Sequence, residues 1–384
     1  MSDPSQTSSF PAPFHPVITS WFRERVGVPT DVQARAWPVI AAGGHVLLTA
    51  PTGSGKTFTA FLWALNRFAT GDVLPGTVRI LYISPLKALN NDIQRNLLGP
   101  LEDLRGRFLE QGLDFPSLRA QVRSGDTPGA ERRRMLRHPP EILITTPESL
   151  NLLLLGKAGR DSLRGVRTVI LDEVHAVAGT KRGVHLITAV DRLVPLAGEF
   201  QRIALSATVR PLPLVAAWVG GYRREGEAYA PRPVDIVESR VPKAYRLEVR
   251  YPVEGVAKRG SDVGTVHGDG RLGPSRGGAS AAGPGADLAP VEPREAERTV
   301  WESMALEIKD LVKTSRSTLV FANNRRLSER LARLLNEGEE KPIAYAHHGS
   351  LSREIRAVVE ARMKEGRLPA IVATSSLELG IDVG

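Results

Sequence analysis

A lysine and two adjacent carboxylates carry most of the chemical information in this sequence. Lys56 closes the run Ala50-Pro51-Thr52-Gly53-Ser54-Gly55-Lys56-Thr57. Glycines let a backbone come close to phosphate oxygens, a lysine reaches the terminal ones, and a hydroxyl such as that of Thr57 can ligate Mg²⁺. Thr52, Gly53, Ser54, Gly55, Lys56 and Thr57 are therefore candidate ligands of a nucleotide such as ATP. The general pattern begins with glycine where this chain has Ala50, but its Gly-Lys-Thr core is intact. Asp172 and Glu173 end the apolar run Val169-Ile170-Leu171. Two carboxylates at the end of a buried strand are costly unless they have partners or work. Asp172 is suited to hold Mg²⁺, directly or through water, and Glu173 to orient and deprotonate an attacking water. The plainer reading is two acids at an exposed strand end.

These residues need a scaffold that brings two strand ends together. The run His45–Thr49 before the loop is apolar and strand-like, and Phe58 to Phe68 places apolar residues at helical spacing. That order aims backbone N–H groups and the positive end of a helix dipole at an anion. Short apolar runs at 78–84, 141–146, 168–172 and 201–207 alternate with helical patterns, which predicts a parallel sheet covered on both faces. A second series starts at Ser317-Thr318-Leu319-Val320-Phe321 and continues through 343–347 and 370–374. Residues 255–285 hold ten glycines and few large apolar side chains, the composition of a flexible insertion or linker. The expected class is α/β, with domains at 1–230 and 299–384 joined by a linker at 231–298.

At 384 residues the chain has room for two domains, and its net charge of +9 favours a polyanionic partner. The absence of cysteine excludes disulfides and thiolate zinc sites. Adjacent His347 and His348 should point in different directions, which argues against a metal site there. Residues 1–9 lack the basic and apolar regions of a signal peptide, and no apolar run approaches a membrane span. The expected setting is soluble and cytoplasmic, associated with the nucleoid.

Taken together with Lys56 and Asp172-Glu173-Val174-His175, further runs resemble the superfamily 2 helicases, and most closely the large helicase-related (Lhr) family. They are Tyr82-Ile83-Ser84-Pro85-Leu86-Lys87-Ala88-Leu89, Ser124-Gly125-Asp126-Thr127-Pro128, Ile144-Thr145-Thr146-Pro147-Glu148-Ser149-Leu150 and Lys181-Arg182-Gly183-Val184-His185-Leu186. Ser206-Ala207-Thr208, His347-His348-Gly349-Ser350-Leu351-Ser352-Arg353-Glu354 and Ala373-Thr374-Ser375-Ser376-Leu377-Glu378-Leu379-Gly380-Ile381-Asp382 follow in family order. The resemblance implies two RecA-like P-loop NTPase domains with parallel sheets, the second incomplete. It also implies ATP and Mg²⁺ as cofactors and a single-stranded or tailed duplex nucleic acid, DNA rather than RNA, as partner.

The same resemblance assigns further residues. Gln33 looks like the glutamine that reads adenine, because an amide both donates to and accepts from that base edge; the plainer reading is a helix cap. His175 joins Lys56, Asp172 and Glu173 as a catalytic candidate. With Ser206 and Thr208 it would couple the nucleotide site to the nucleic-acid path, or simply make strand-end hydrogen bonds. Gly380 and Asp382 would reach the nucleotide from the second domain. Pro85, Lys87, Arg123, Gly125, Thr146, Pro147, Asn323, Arg325, His348, Gly349, Thr374 and Ser375 are the matching nucleic-acid positions, suited to phosphate and sugar contacts. Pro85 and Pro147 have a structural alternative as helix starters, Thr146 as an N-cap and Asn323 as a turn residue. The run Arg132-Arg133-Arg134 reads first as a solvated helix face.

In the family a Gln- and Arg-bearing motif follows the one that carries Asp382, and none occurs before Gly384. An arginine finger is worth roughly 10³–10⁵ in rate. The expectation is therefore the N-terminal portion of a 3′→5′ DNA helicase acting in repair, with a completing C-terminal polypeptide among its partners. Competing expectations are an RNA helicase, a non-catalytic ATP- and nucleic-acid-binding fragment, and a P-loop switch that binds no nucleic acid.

Overall fold

The structure is a computed structural model that describes residues 10, 12–51, 53–85, 93–240, 248–250 and 293–374. Thr52, Lys87, Ser375, Gly380 and Asp382, the glycine-rich stretch 255–285 and the motif around Leu377-Glu378 lie outside the described residues. The chain divides into two compact units, Met1–Val241 and Pro242–Val383.

The first unit is built on strands β1 (His45–Thr49), β2 (Ile80–Ile83), β3 (Ala120–Arg123), β4 (Ile142–Thr145), β5 (Thr168–Leu171), β6 (Gln201–Ser206) and β9 (Val234–Glu238). They form one sheet in the order β3-β4-β2-β5-β6-β1-β9, with every ladder parallel. A separate antiparallel hairpin joins β7 (Tyr222–Glu225) to β8 (Ala228–Pro231). Parallel pairing forces each connection to cross a face of the sheet, so all strand ends that follow the forward direction open at one edge.

Side chains alternate across β1. Val46 and Leu48 enter a core with Trp37, Phe61, Tyr82 and Ile203, whereas Leu47 enters the opposite core with Leu81, Leu171, Leu186 and Val219. Helices α1 (Pro16–Arg25), α2 (Asp31–Ala41) and α3 (Lys56–Ala69) cover the first face. Helices Pro147–Leu155, Lys181–Asp191 and Leu212–Gly220 cover the second. β2, β4, β5 and β6 are buried on both sides. β2 and β4 read as largely apolar runs, β5 as one after Thr168, and β6 as an apolar Ile203-Ala204-Leu205 flanked by buried Gln201, Arg202 and Ser206. β9 lies in the stretch read above as the start of a linker, and its ladder with β1 carries the first unit's sheet on to Glu238.

The second unit has a parallel sheet in the order β10 (Thr318–Phe321), β12 (Ala370–Ala373), β11 (Ala344–His347). Helix Arg325–Asn336 packs on one face through Leu331, Ala332 and Leu335, and helix Arg353–Lys364 on the other through Val359 and Met363. Two α/β units with parallel sheets match the predicted class. Among the described residues no helix is long and apolar enough to cross a membrane.

Candidate nucleotide site and nucleic-acid edge

The loop after β1 is held by its neighbours on both sides. Ala50 N donates to Ser206 O at 3.1 Å, and Thr30 Oγ1 donates to Ser54 O at 3.0 Å. Gly53 and Gly55 sit at φ +78° and +80°, the left-handed region that glycine occupies without strain. A Cβ on Gly55 would lie 2.7 Å from Gln33 Nε2, so the loop is also too close to α2 for any side chain there. Lys56 opens α3 and is buried; its Nζ donates to Ala50 O at 2.6 Å and to Pro51 O at 2.9 Å. Thr57 follows it, half-buried, in the first turn of α3.

Gln33 occupies the N3 position of α2 and closes a capping box. Its Oε1 accepts from Thr30 N at 2.9 Å, while Thr30 Oγ1 accepts from Gln33 N. The cap reading is realised, and it leaves the donor end of the amide against Gly55.

Asp172 follows β5 at the same edge and is 6% exposed. Tyr82, on the adjacent β2, donates its hydroxyl to Asp172 Oδ2, and Glu173 N donates to Oδ1 at 2.9 Å. Burial first and then the neighbouring Glu173 charge push the Asp172 carboxyl up to about 7; the Tyr82 and Glu173 hydrogen bonds and Lys56 pull the other way. Glu173 is the one non-glycine residue at positive φ among the described residues (φ 48°, ψ 42°). That conformation costs an L-residue of order 1 kcal/mol and turns the chain sharply into the short helix Val174–Ala176.

His175 joins two strand ends. Its Nδ1 accepts from Ala207 N at 3.2 Å and also lies 3.2 Å from Glu173 Oε2. The two contacts demand opposite protonation of the same nitrogen. Burial and the Lys56 charge hold the imidazole below its usual pKa, so the neutral ring accepting from Ala207 is the form we assign. Ala207 O in turn accepts from Thr49 Oγ1 at 3.0 Å, which ties the ends of β5, β6 and β1 together. Ser206 is buried and Thr208 exposed just beyond it.

The residues present fit a magnesium nucleotide. The Lys56 ammonium donates to two neutral carbonyls, and phosphate oxygens are stronger acceptors. Ser54 Oγ and Ser206 Oγ are buried with no hydrogen-bond partner among the described residues. A carboxyl driven up by burial, as Asp172 is, gains from a cation. No group of three or more His, Asp or Glu side chains gathers for a metal among the described residues. Mg²⁺ takes one or two protein ligands and otherwise keeps water and phosphate oxygens.

The candidate nucleic-acid residues of the first unit lie on the other half of the edge, after β2, β4 and β3. Pro85 is buried after β2, and Gly125 is exposed after β3. Arg123 ends β3, half-buried, and its Nη1 donates to Arg132 O at 2.9 Å. Thr146 is the N-cap of helix Pro147–Leu155: its hydroxyl accepts from Ser149 N at 3.3 Å, and Pro147 is the first helical residue. The capping alternative thus holds for Thr146. In the second unit, the cap of helix Arg325–Asn336 is Asn324, not Asn323, which sits exposed in the preceding bend. Arg325 is exposed on the first turn. His348 is buried, with Nε2 2.9 Å from Glu329 Oε1; its neighbour His347 turns to Glu360 at 3.0 Å. The two rings diverge to different helices. Gly349 is exposed, and Thr374 N donates to His347 O at 3.1 Å.

Sequence reasoning assigned no role to Tyr82, Thr49 or Ala207. Tyr82 carried a signal: it is a hydroxyl within the apolar strand Ile80-Leu81-Tyr82-Ile83, and a buried tyrosine hydroxyl needs a partner. Ala207 acts through its backbone and left no trace in residue type.

Comparison with known proteins agrees with this layout. The DEAD/DEAH box helicase model matches residues 30–213, and the helicase conserved C-terminal domain matches residues 303–384. The chain is 41% identical to a Lhr helicase/probable uracil glycosylase of Mycolicibacterium smegmatis, over 97% of this chain and 24% of the relative. It is 40% identical to the ATP-dependent helicase Lhr-Core of Methanothermobacter thermautotrophicus, over 96% of this chain and 39% of the relative. A solved structure of Mycobacterium smegmatis helicase Lhr bound to ssDNA and AMP-PNP superposes with a TM-score of 0.75 at 43% identity, covering 98% of this chain and 43% of that one. The chain thus spans well under half the length of these relatives. With both helicase domain models matched in order and this identity running nearly end to end, the chain belongs to the Lhr family of DEAD/DEAH-box helicases.

Proposed function

We propose that the chain binds and hydrolyses ATP with Mg²⁺ and uses the cycle to move 3′→5′ along single-stranded DNA, as the motor portion of a DNA helicase. The first unit is the ATP-binding domain, and residues 299–384 form part of the helicase C-terminal domain. The observation that carries the reading is the meeting of Lys56 and Asp172 at one sheet edge, each buried, with Lys56 acting electrostatically on Asp172. DNA is preferred over RNA because the relative at 43% identity was solved with ssDNA.

In this scheme Gln33 faces the adenine with its amide donor. Gly53, Ser54 and Gly55 cradle the phosphates, together with Thr52, and Lys56 exchanges its two carbonyl partners for phosphate oxygens. Mg²⁺, held by Thr57 and Asp172, would neutralise charge on the transferred phosphoryl group. Glu173 orients the attacking water and takes its proton. His175 reports the state of the Asp172–Glu173 turn to Ala207, and so to Ser206, Thr208 and the sheet edge. Gly380 and Asp382, outside the described residues, are further candidates for the nucleotide. The candidate strand contacts are Pro85, Lys87, Arg123, Gly125, Thr146 and Pro147 of the first unit, and Asn323, Arg325, His348, Gly349, Thr374 and Ser375 of the second.

The test is ATP hydrolysis by the 384-residue chain with and without single-stranded DNA, beside Lys56→Ala. Turnover raised by DNA and lost in the variant supports the reading. Nucleotide binding without turnover leaves a binding module in place of a motor, and stimulation by RNA but not DNA would reassign the substrate.

A further inference from the structure

The helix Gly129–Arg137 was read from sequence as a solvated face, but three observations give it a ligand. First, its position. The candidate strand-binding loops follow β2, β4 and β3 in that spatial order, and β3 is the outermost strand. The helix begins directly after the β3 loop, so its first turn adjoins that loop, and its body packs against helix Lys157–Leu163. Second, its orientation is fixed. Met135 is buried and Leu136 packs against the core beneath, which turns Arg133, Arg134 and Arg137 outward, where all three are exposed. Arg133 and Arg137 are four residues apart and share one stripe.

Third, its charge is not neutralised. Several arginines nearby have a carboxylate, Arg119 with Glu141 at 3.3 Å, Arg182 with Glu148 at 2.6 Å and Arg164 with Asp161 at 3.1 Å, whereas Arg160 donates to the carbonyls of Leu154 and Leu155. Arg132, Arg133, Arg134 and Arg137 have no carboxylate partner among the described residues. The hydrogen bond from the Arg123 guanidinium to the Arg132 carbonyl moreover staples β3 to this helix, and burial followed by the Arg132 charge lowers the pKa of Arg123. Like charges held together without a counterion are relieved by an anion that spans them.

We infer that the helix Gly129–Arg137 extends the single-strand track beyond β3, with Arg133, Arg134 and Arg137 holding backbone phosphates of nucleotides outside the core path. The inference rests on the proposed function, since it lengthens that same track. Guanidinium groups suit phosphate bidentately and read no sequence, so the contacts add affinity and site size without base preference.

The experiment is fluorescence anisotropy with labelled oligothymidylates of increasing length, titrated across salt. It compares the full chain with Arg133→Gln/Arg134→Gln/Arg137→Gln and with the corresponding triple lysine variant. Binding of a fluorescent ATP analogue certifies that each variant is folded. Three lost phosphate contacts should lower the slope of log affinity against log salt by about 2, which is about 100-fold weaker binding at 0.1 M. That loss should appear on long oligonucleotides only, with short ones binding both proteins alike and the lysine variant keeping the wild-type slope. Equal slopes and affinities at every length would overturn the inference and leave a solvated face. No binding by the wild type at any length would overturn the proposed function, and the inference with it.

Discussion

Raising the pH should cost the nucleotide-free chain stability through a single carboxyl group. Asp172 ionises near 7 in the folded protein, against 3.8 for an ordinary aspartate, because it is buried beside Glu173. The folded state therefore holds a proton that the unfolded state releases near pH 4. By linkage, its contribution is fully present below about pH 4, falls as pH rises toward 7, and is gone above it. A displacement of roughly three units corresponds to about 4 kcal/mol, an upper figure because Glu173 shares the titration. Asp172→Asn removes the group at nearly constant volume. Urea midpoints from pH 4 to 8.5, read by tryptophan emission, compare the two. Trp21, Trp37, Trp63 and Trp218 lie in the first unit, leaving only Trp301 in the second, so the signal reports mainly on the unit that carries the site. The variant should match the wild type at acid pH and exceed it above pH 7. Added Mg²⁺ should narrow that gap by stabilising the wild type alone. Parallel pH profiles in the two proteins would refute the argument, because Asp172 would then be charged in both states.

Other substitutions probe the site and its frame. Glu173→Gln should leave ATP affinity within a few-fold of wild type while lowering turnover by at least 10²-fold, as expected for a lost general base; equilibrium binding and single-turnover assays separate the two effects. Gly55→Ala places a methyl 2.7 Å from Gln33 Nε2 at a φ of +80°, so nucleotide affinity should fall by more than tenfold in calorimetric titration. Gly183→Ala should destabilise by about 2–4 kcal/mol in urea, although alanine is ordinarily the better helix former. Its Cβ would lie 2.1 Å from Val177 O, and a gain in stability would show that this close approach is not maintained.

How much of this was legible beforehand follows burial and backbone. β1, β2, β4, β5 and β6 announce themselves through apolar runs because both faces are covered. β3 did not, since Ala120-Gln121-Val122-Arg123 is half-buried at the sheet margin and mixes polar with apolar residues. β9 was read as the start of a linker, because it is only partly buried, with Ile236 exposed and Val237 buried. Lys56 and Asp172 were readable because few residue types do their chemistry at that spacing. The left-handed turn at Glu173 and the amide of Ala207 were not, as conformation and backbone groups leave little mark on residue type. Thr146 and His348 are both engaged within the fold, by Ser149 and Glu329; the cap at Thr146 was among its readings, whereas residue type did not announce the partner of His348. The glycine of Lys181-Arg182-Gly183 was seen as a motif letter, and the structure gives it a reason.

The place of β1 between β6 and β9 also governs how this unit comes into being. The strand emerges from the ribosome well before its ladder partners, β6 and β9, at residues 201–206 and 234–238. At ~5–20 residues per second the ribosome needs on the order of 10–40 s to deliver them. During that interval His45–Thr49 can lean only on α2 and α3, with both hydrogen-bonding margins open. An unpaired apolar strand invites pairing with other chains. The loop after β1 is thus written long before the ladders that fix it, which makes biosynthesis, rather than the finished fold, the stage at which this unit is most exposed to misassembly.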